Sequence, residues 1–295
     1  MRQNKKTEAL IHLLEDPDMS VYKMVEKELL KEDAKIIPAL EEMWELSLDE
    51  ICQQRIENLI QYLQFKETKR EMAEWIGLKN PDLVEGFSIT NRYQYPDLNA
   101  TSIEIKIEQI RKDVWLELNN SLTSLEKITV LNHIFFDVHG FSVNHANLSS
   151  PQNFFLNQVL ETKKGHPIAL AMLYTVVARR LDLPIYFINF PKNPLLGYFD
   201  RHIAIKAHGF KINSDMLFYI NPSNKGSITG RKELEYYLKK MKYKPERKYF
   251  ERCSDKVFVM KLISLLQAAF DSMGYKEKAD EIMELKKIIT SNLGK

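Results

Sequence analysis

Three positions in the middle of the chain have the residue types and the order of a nucleophilic active site. A helix begins just after Gly165, a short run that reads as a strand begins at His202, and the next such run leads into Asn221. In a site of this kind the dipole of a helix holds a thiol as thiolate, an imidazole on a facing strand exchanges its proton, and a third polar group fixes the imidazole tautomer. His202 and Asn221 stand where the last two groups belong. We therefore expect the helix start, His202 and Asn221 to share one cleft.

The helix that would carry the nucleophile is apolar on nearly every side. Pro167 lies in its first turn, and aliphatic residues follow until Arg179 and Arg180. A helix that is apolar all round is buried in the core of a protein. The sequence thus predicts a buried central helix.

The segments after this helix are short, β-branched or aromatic runs separated by turn residues, which is typical of strands. The predicted strands are Ile185 to Phe190, His202 to Ala207 and Met216 to Ile220, and the glycine-containing run from Gly226 to Lys232 is predicted as a loop. This pattern favours an α+β fold in which the central helix packs on an antiparallel sheet.

Helical periodicity dominates both ends of the chain. The first 76 residues predict four helices in two pairs, and their order, with an acidic-proline break at Asp16-Pro17-Asp18, resembles a HEAT-type repeat. The helical period lapses from Gly77 to Ala100, and it returns from Val257 to Ile289 as a closing helical pair. Between these ends we expect a helix over 125–136 with Ser124 as its N-cap. We divide the chain into residues 1–76, 77–250 and 251–295.

The composition is that of an ordinary globular protein, with 44% hydrophobic and 28% charged residues. The uncharged stretch from Gly165 to Ala178 is shorter than the roughly 20 residues of a membrane helix. Glu8 and Glu15 interrupt the segment where an apolar signal core would lie. Two cysteines are too few for a disulfide framework and suit a reducing compartment. We expect a cytoplasmic protein that does not bind a membrane.

The net charge of +2 is unevenly distributed, because residues 1–76 hold 11 Lys/Arg against 17 Asp/Glu, a balance of −6, which leaves +8 for the remainder. The run from Arg231 to Arg252 is basic and rich in tyrosine. Such a run could stack and neutralise a single-stranded nucleic acid. We favour an exposed amphipathic helix with a linker, and we do not expect a nucleic-acid partner.

The central helix and its surroundings resemble a known family. Residues 165–174, Gly-His-Pro-Ile-Ala-Leu-Ala-Met-Leu-Tyr, and their continuation to the Leu183-Pro184 pair resemble the core helix of the transglutaminase-like superfamily, particularly its SirB-type bacterial branch. Residues 93–98, 131–136 and 153–160 look like that branch's approach to the helix, and Ile220-Asn221-Pro222 looks like the strand with the third catalytic position. The resemblance covers about residues 80–230 and implies a transglutaminase-like or cysteine-protease-like core.

The chain departs from the family at the catalytic positions. Pro167 occupies the position of the nucleophilic cysteine when residues are counted back without gaps from Leu183-Pro184, and Ala169 offers no nucleophile either. Asn221 stands where the superfamily more often has Asp. An amide accepts a hydrogen bond from an imidazole N–H, but it cannot stabilise an imidazolium by charge. The residues therefore argue that the acyl-transfer chemistry has been lost.

The leading hypothesis is a non-catalytic protein whose remnant cleft binds a peptide, a small ligand or a protein partner. The candidate cleft residues are Gly165, His166, Pro167, His202 and Asn221. No metal site and no cofactor are predicted. Each residue also has a structural explanation, because a proline is common in the first turn of a helix and an Asn-Pro pair is common where a strand ends in a turn.

Two alternatives remain open. The first is a weakly active hydrolase with a displaced nucleophile, for which Cys253 is a candidate because the preceding basic run could lower its thiol pKa. The second is a protein-interaction scaffold in which the helical ends of the chain carry the function.

Overall fold

The computed structural model of the chain describes residues 2–208 and 215–293, and the chain divides into two units, Met1–Glu74 and Trp75–Lys295. Most of the regular structure described is helical, and the second unit also contains a four-stranded antiparallel sheet and a two-stranded parallel pair. The α+β class predicted from the sequence is confirmed. Within the described ranges, no helix combines the length and the apolarity that crossing a membrane requires.

The first unit is built on the four amphipathic segments predicted from the apolar spacing. Asp18 caps the second helix by accepting a hydrogen bond from the Ser20 N–H at 2.8 Å. The apolar faces form a core that includes Leu14, Leu29 and Leu40. The helices are α1 (Arg2–His12), α2 (Met19–Leu29), α3 (Ile37–Leu46) and α4 (Glu50–Gly77), the last of which ends beyond the unit.

Among the residues that the structure describes, the second unit contains the remaining helices and the strands. Its helices are α5 (Leu83–Arg92), α6 (Ala100–Glu117), α7 (Ser124–Asn132), α8 (Leu156–Thr162), α9 (Pro167–Arg179), α10 (Arg201–His208), α11 (Arg231–Lys240), α12 (Asp255–Ser272) and α13 (Lys276–Leu293). Its strands are β1 (Ser142–Val143), β2 (Lys164–Gly165), β3 (Ile185–Ile188), β4 (Leu195–Phe199), β5 (Met216–Asn221) and β6 (Ser227–Thr229). The closing helical pair is confirmed by α12 and α13, which pack against each other.

Helix boundaries follow from the caps. Thr123, not Ser124, is the N-cap of α7, because its side chain bonds the Glu126 N–H while the Glu126 carboxylate bonds back to the Thr123 N–H. A π-helical turn, His133–Val138, continues α7. α5 lies in the segment where the helical period lapses, and Asp82 caps it.

The predicted buried helix is α9, in which every residue from Pro167 to Ala178 is buried. It packs against α5, α6, α8 and α12, and its other contacts include β3 and β4. Tyr174 lies among aromatic rings, 5.3 Å from Phe135 and 5.9 Å from Phe136 between ring centroids. α9 is therefore the centre of the second unit's core.

The sheet is an antiparallel meander in the order β3-β4-β5-β6. One predicted strand is wrong: the segment that begins at His202 forms α10, and the strand that follows β3 is β4. The Asp200 carboxylate accepts a hydrogen bond from the Ile203 N–H at 2.9 Å, which is a helix-capping contact that favours α10. β6 also lies in the run predicted as a loop.

Candidate functional site

The start of α9 uses its own hydrogen-bonding groups. His166 is the N-cap, and its Nδ1 accepts from the Ile168 N–H at 3.2 Å. The His166 carbonyl accepts from the N–H groups of Ala169 and Leu170 at 3.0 and 3.1 Å. Pro167 has no N–H. A helix N-terminus binds an anion through free N–H groups, and the first turn of α9 has none to offer.

His166 is held as a neutral group. Its ring stacks on Phe154 at 4.4 Å between centroids, with an interplanar angle of 19°. Burial lowers the pKa of His166 to about 4. Because Nδ1 accepts the capping hydrogen bond, the proton lies on Nε2. At neutral pH His166 therefore acts as an uncharged helix cap.

Packing also explains why residue 165 is a glycine. This residue is buried, and its carbonyl accepts from the Asn144 N–H at 3.1 Å. A Cβ at Gly165 would lie 2.8 Å from Val159 Cγ2, which is closer than side chains pack. The absence of a side chain at Gly165 therefore lets α8 and β2 approach each other.

Neither cysteine has the lowered thiol pKa that favours a nucleophilic thiolate. Cys52 is buried in the core of the first unit, and burial raises its pKa. Burial also raises the pKa of the Cys253 thiol, so the expected lowering by the basic run is wrong. A thiol with a raised pKa is mostly protonated at neutral pH, and the thiolate is the reactive form. In the ranges that the structure describes, no three His, Cys, Asp or Glu side chains are grouped as metal ligands.

His202 and Asn221 lie at opposite ends of β4. The register pairs Leu196 with Ile220 and Phe199 with Met216, so Asn221 lies next to the Leu195 end of the strand. His202 follows the other end, in α10, where it is exposed. A five-residue strand is about 13 Å long. The structure therefore does not bring the predicted base and its predicted orienting group together.

Asn221 is held by a chain of hydrogen bonds that leads back to α9. Its Oδ1 accepts from the Ser223 N–H at 3.0 Å, and its carbonyl accepts from the Gly226 N–H at 3.0 Å. The Gly226 carbonyl accepts from Asn132 Nδ2 at 2.8 Å, and Asn132 Oδ1 accepts from the Tyr174 hydroxyl at 2.8 Å. This chain fixes the turn that begins at Asn221.

A cavity of about 760 Å³ opens beside Asn221. Its walls come from the loop between β3 and β4, the turn after β5, the strand β6, and α11 with the two residues that follow it. Its apolar lining residues are Phe190, Leu195, Ile228, Leu234 and Met241. Its polar and charged lining residues are Lys192, Asn193, Asn221, Asn224, Ser227, Thr229, Glu233, Tyr237, Lys240 and Lys242. None of the residues 165–167 lines this cavity.

Sequence reasoning found only Asn221 among these lining residues. The basic run was visible in the sequence, and it was interpreted as a solvated helix with a linker. Lys192 carried no signal of its own, because only the pairing of β3 with β4 brings the loop between them to the same side as α11. The cavity is therefore a candidate binding site that the folded structure reveals and the sequence did not.

Comparison with known proteins gives the family of this region. Residues 101–264 match the family model of the transglutaminase-like superfamily. This span includes α7 to α11, the six strands of the described ranges and every residue named above as lining the cavity. No solved structure is significantly similar to the chain.

Several curated proteins are similar to part of the chain. A UPF0162 protein of Xylella fastidiosa is 38% identical over 147 residues, which cover 48% of this chain and 46% of the relative. A UPF0162 protein of Vibrio cholerae is 25% identical over 157 residues, 53% of each chain. Human F-box only protein 21 is 29% identical over 111 residues, which cover 38% of this chain and 17% of the relative. The chain thus spans about half of the bacterial relatives' length and much less of the human protein.

Proposed function

The chain belongs to the transglutaminase-like superfamily, and we propose that it is a binding protein of this superfamily that lacks a nucleophile. The observation that carries this proposal is the first turn of α9. Pro167 supplies neither a thiol nor an N–H, and the following N–H groups are bonded to His166. Acyl transfer needs a nucleophile and donors that stabilise an oxyanion. The start of α9 supplies neither.

The cavity beside Asn221 is the binding site in this proposal. Its volume of about 760 Å³ lies within the range of small-molecule pockets, roughly 300–1,000 Å³. Apolar residues with a few polar groups around them are also typical of such pockets. A small ligand, or a side chain of a peptide or protein partner, would bind there.

The proposal includes a finer classification. We place the chain in the SirB-type branch of the superfamily, treat residues 1–76 as a HEAT-like region, and expect the protein in the cytoplasm. The similarity to a 17% portion of F-box only protein 21 supports a module that can occur within a longer protein. The transglutaminase-like domain of this chain would then bind its ligand without catalysing a reaction.

An assay of turnover tests the central proposal. We would incubate the purified full chain with casein and a fluorescent primary amine, and separately with peptide substrates. The expected result is no amine incorporation and no hydrolysis above the level of the variants His202→Ala and Cys253→Ala. Sustained turnover that disappears with Cys253→Ala would contradict the proposal and favour a hydrolase with a displaced nucleophile.

A further inference from the structure

We infer that the cavity beside Asn221 binds a phosphate monoester that is attached to an apolar or aromatic body. The inference rests on the proposed binding function of this cavity and names the class of its ligand. Four features of the lining carry it: unpaired lysines, the backbone conformation of two of them, the net charge, and the apolar floor.

The carboxylates of the basic run are already engaged. Residues 231–252 contain nine Lys/Arg and four Asp/Glu. Glu235 pairs with Arg231 at 2.9 Å, Glu246 with Lys248 at 2.7 Å, and Glu251 with Arg247. The fourth, Glu233, accepts a hydrogen bond from Thr229 Oγ1 at 2.6 Å. None of them pairs with the two lysines of the run that line the cavity.

Three lysines therefore surround the cavity without a carboxylate partner among the described residues. Lys240 is the last residue of α11, Lys242 lies two residues after it, and Lys192 comes from the loop between β3 and β4. All three side chains are exposed, so water screens the repulsion between them, and folding does not require this arrangement. A bound anion would offset the repulsion.

Two of these lysines occupy a backbone conformation that favours glycine. Lys192 has φ +66° and Lys242 has φ +63°. Lys242 directly follows the C-cap of α11, Met241, where glycine is the usual residue. The left-handed conformation costs a side chain roughly 1 kcal/mol. Lys163 and Lys225, which do not line the cavity, also have positive φ, so this conformation is not confined to the site. At Lys192 and Lys242 a lysine costs stability relative to glycine, and such strain is found at binding sites.

The charge of the lining matches a dianion. Three lysines and Glu233 give the lining a formal charge of +2. A phosphate monoester carries about −1.5 to −2 at neutral pH, whereas a carboxylate carries −1. Lysine is a common phosphate ligand, as a point charge. The side chains of Asn193 and Asn224 add neutral donors to the same lining.

The floor of the cavity indicates the rest of the ligand. Phe190, Leu195 and Met241 supply apolar surface beside the lysines. Phe190 and Leu195 are only 4% and 3% exposed, so the uncovered apolar surface is limited and centred on the partly buried Met241. Inorganic phosphate would leave that surface in water, and an apolar or aromatic body on the ester would cover it. The ligand class is therefore an organic phosphate rather than a free anion.

Calorimetric titration of the full chain with phenyl phosphate tests the inference. Inorganic phosphate, phenol and benzoate are the matched probes that lack the body, the anion or the second charge. We expect phenyl phosphate to bind about tenfold more tightly than each of them. No binding of phenyl phosphate up to about 10 mM, or tighter binding of benzoate, would overturn the inference.

A pair of triple variants localises the effect. The cavity variant is Lys192→Gln with Lys240→Gln and Lys242→Gln. The control, Lys232→Gln with Lys239→Gln and Lys244→Gln, removes the same charge from exposed lysines of the run that do not line the cavity. We expect at least about tenfold weaker binding in the cavity variant and less than about twofold in the control.

Two outcomes separate the alternatives. Equal losses in both triple variants, together with tighter binding of a single-stranded oligothymidine, would overturn the inference in favour of a nucleic-acid surface. Lysine-dependent release of phenol from phenyl phosphate would support the ligand class and contradict the non-catalytic proposal. Amine incorporation by a chain that also binds phenyl phosphate in the cavity would likewise contradict only the proposed function.

Discussion

The polar groups at the start of α9 are bonded within the protein, whereas the lysines that line the cavity beside Asn221 have no carboxylate partner among the described residues. At the start of α9 the first N–H groups are bonded to His166, the imidazole is neutral, and Gly165 is packed against Val159. At the cavity three lysines have no carboxylate partner among the residues that the structure describes, and two of them have a left-handed backbone. Positive φ does not separate the two regions, because Lys163, two residues before Gly165, has φ +60°. The difference lies in the partners of the polar groups, which are bonded at the start of α9 and open at the cavity.

This difference indicates which polar groups remain open to a ligand in a chain whose central helix begins with Pro167 rather than with a cysteine. The resemblance to the superfamily directs attention to the start of α9, because catalysis occurs there in enzymes of the family. In this chain Pro167 and the His166 cap close that position. The lysines that have no carboxylate partner among the described residues line the cavity beside Asn221. Substitutions at the start of α9 and substitutions in the cavity should therefore have different consequences.

The largest effect is expected at Gly226, in the turn after Asn221, which is joined through Asn132 to Tyr174 of α9. Gly226 has φ +70°, and a Cβ there would overlap the Asn132 side-chain amide, which joins the Asn221 turn to Tyr174. Gly226→Ala should lower the free energy of unfolding by about 3 kcal/mol, measured by urea denaturation.

The matched control is Gly140→Ala. Gly140 has φ +74° and open space around it, so only the backbone term should appear there, about 1 kcal/mol. If Gly226→Ala costs no more than Gly140→Ala, the hydrogen-bond chain from Asn221 to α9 does not stabilise the fold as described.

The next effect is a dependence of the unfolding free energy on pH, which comes from His166 at the start of α9. The pKa of His166 is about 4 in the folded chain and near 6.5 when the residue is exposed, so the unfolded chain binds more protons between these values. Stability should therefore fall as the pH is lowered from about 6.5 to 4, by up to about 3 kcal/mol from this residue.

His166→Asn should remove this contribution while it keeps a side chain that caps the helix. The difference in unfolding free energy between wild type and variant should change with pH only in that window. An NMR titration that gives His166 an ordinary pKa near 6.5 would contradict a buried, neutral cap.

The smallest effect has the opposite sign and belongs to the cavity. Lys242→Gly and Lys192→Gly should each raise the free energy of unfolding by about 0.5 to 1 kcal/mol, because glycine adopts positive φ without strain. The same variants should weaken the binding of phenyl phosphate. A loss of stability in both variants would show that the lysines serve the fold, and it would remove the contrast between the two regions.

Local signals in the sequence were sufficient for much of the fold. α9 is predictable because a segment that is apolar on all sides has to be buried. Asp18 and the break before it fix the start of α2. The strand predicted at His202 was wrong. The alternating Ile203 and Ile205 suggest a strand, but Asp200 before them caps a helix.

The parts that were not predictable depend on pairing between distant segments. β4 contains Gly197, which weakens the strand pattern, although its close approach to Met216 and Phe199 requires a glycine. The cavity requires the register of β3, β4 and β5 before Lys192 and Lys242 come to line the same space. The basic residues were visible in the sequence, but the sequence did not show that they line one cavity.

A crystal structure of the full chain soaked with phenyl phosphate would locate the ligand. We expect phosphate density in the cavity, with phosphate oxygens within about 4 Å of the Nζ atoms of at least two of Lys192, Lys240 and Lys242. Density at the start of α9, beside His166 and Pro167, would contradict this expectation, because that position would then remain the ligand site of the fold.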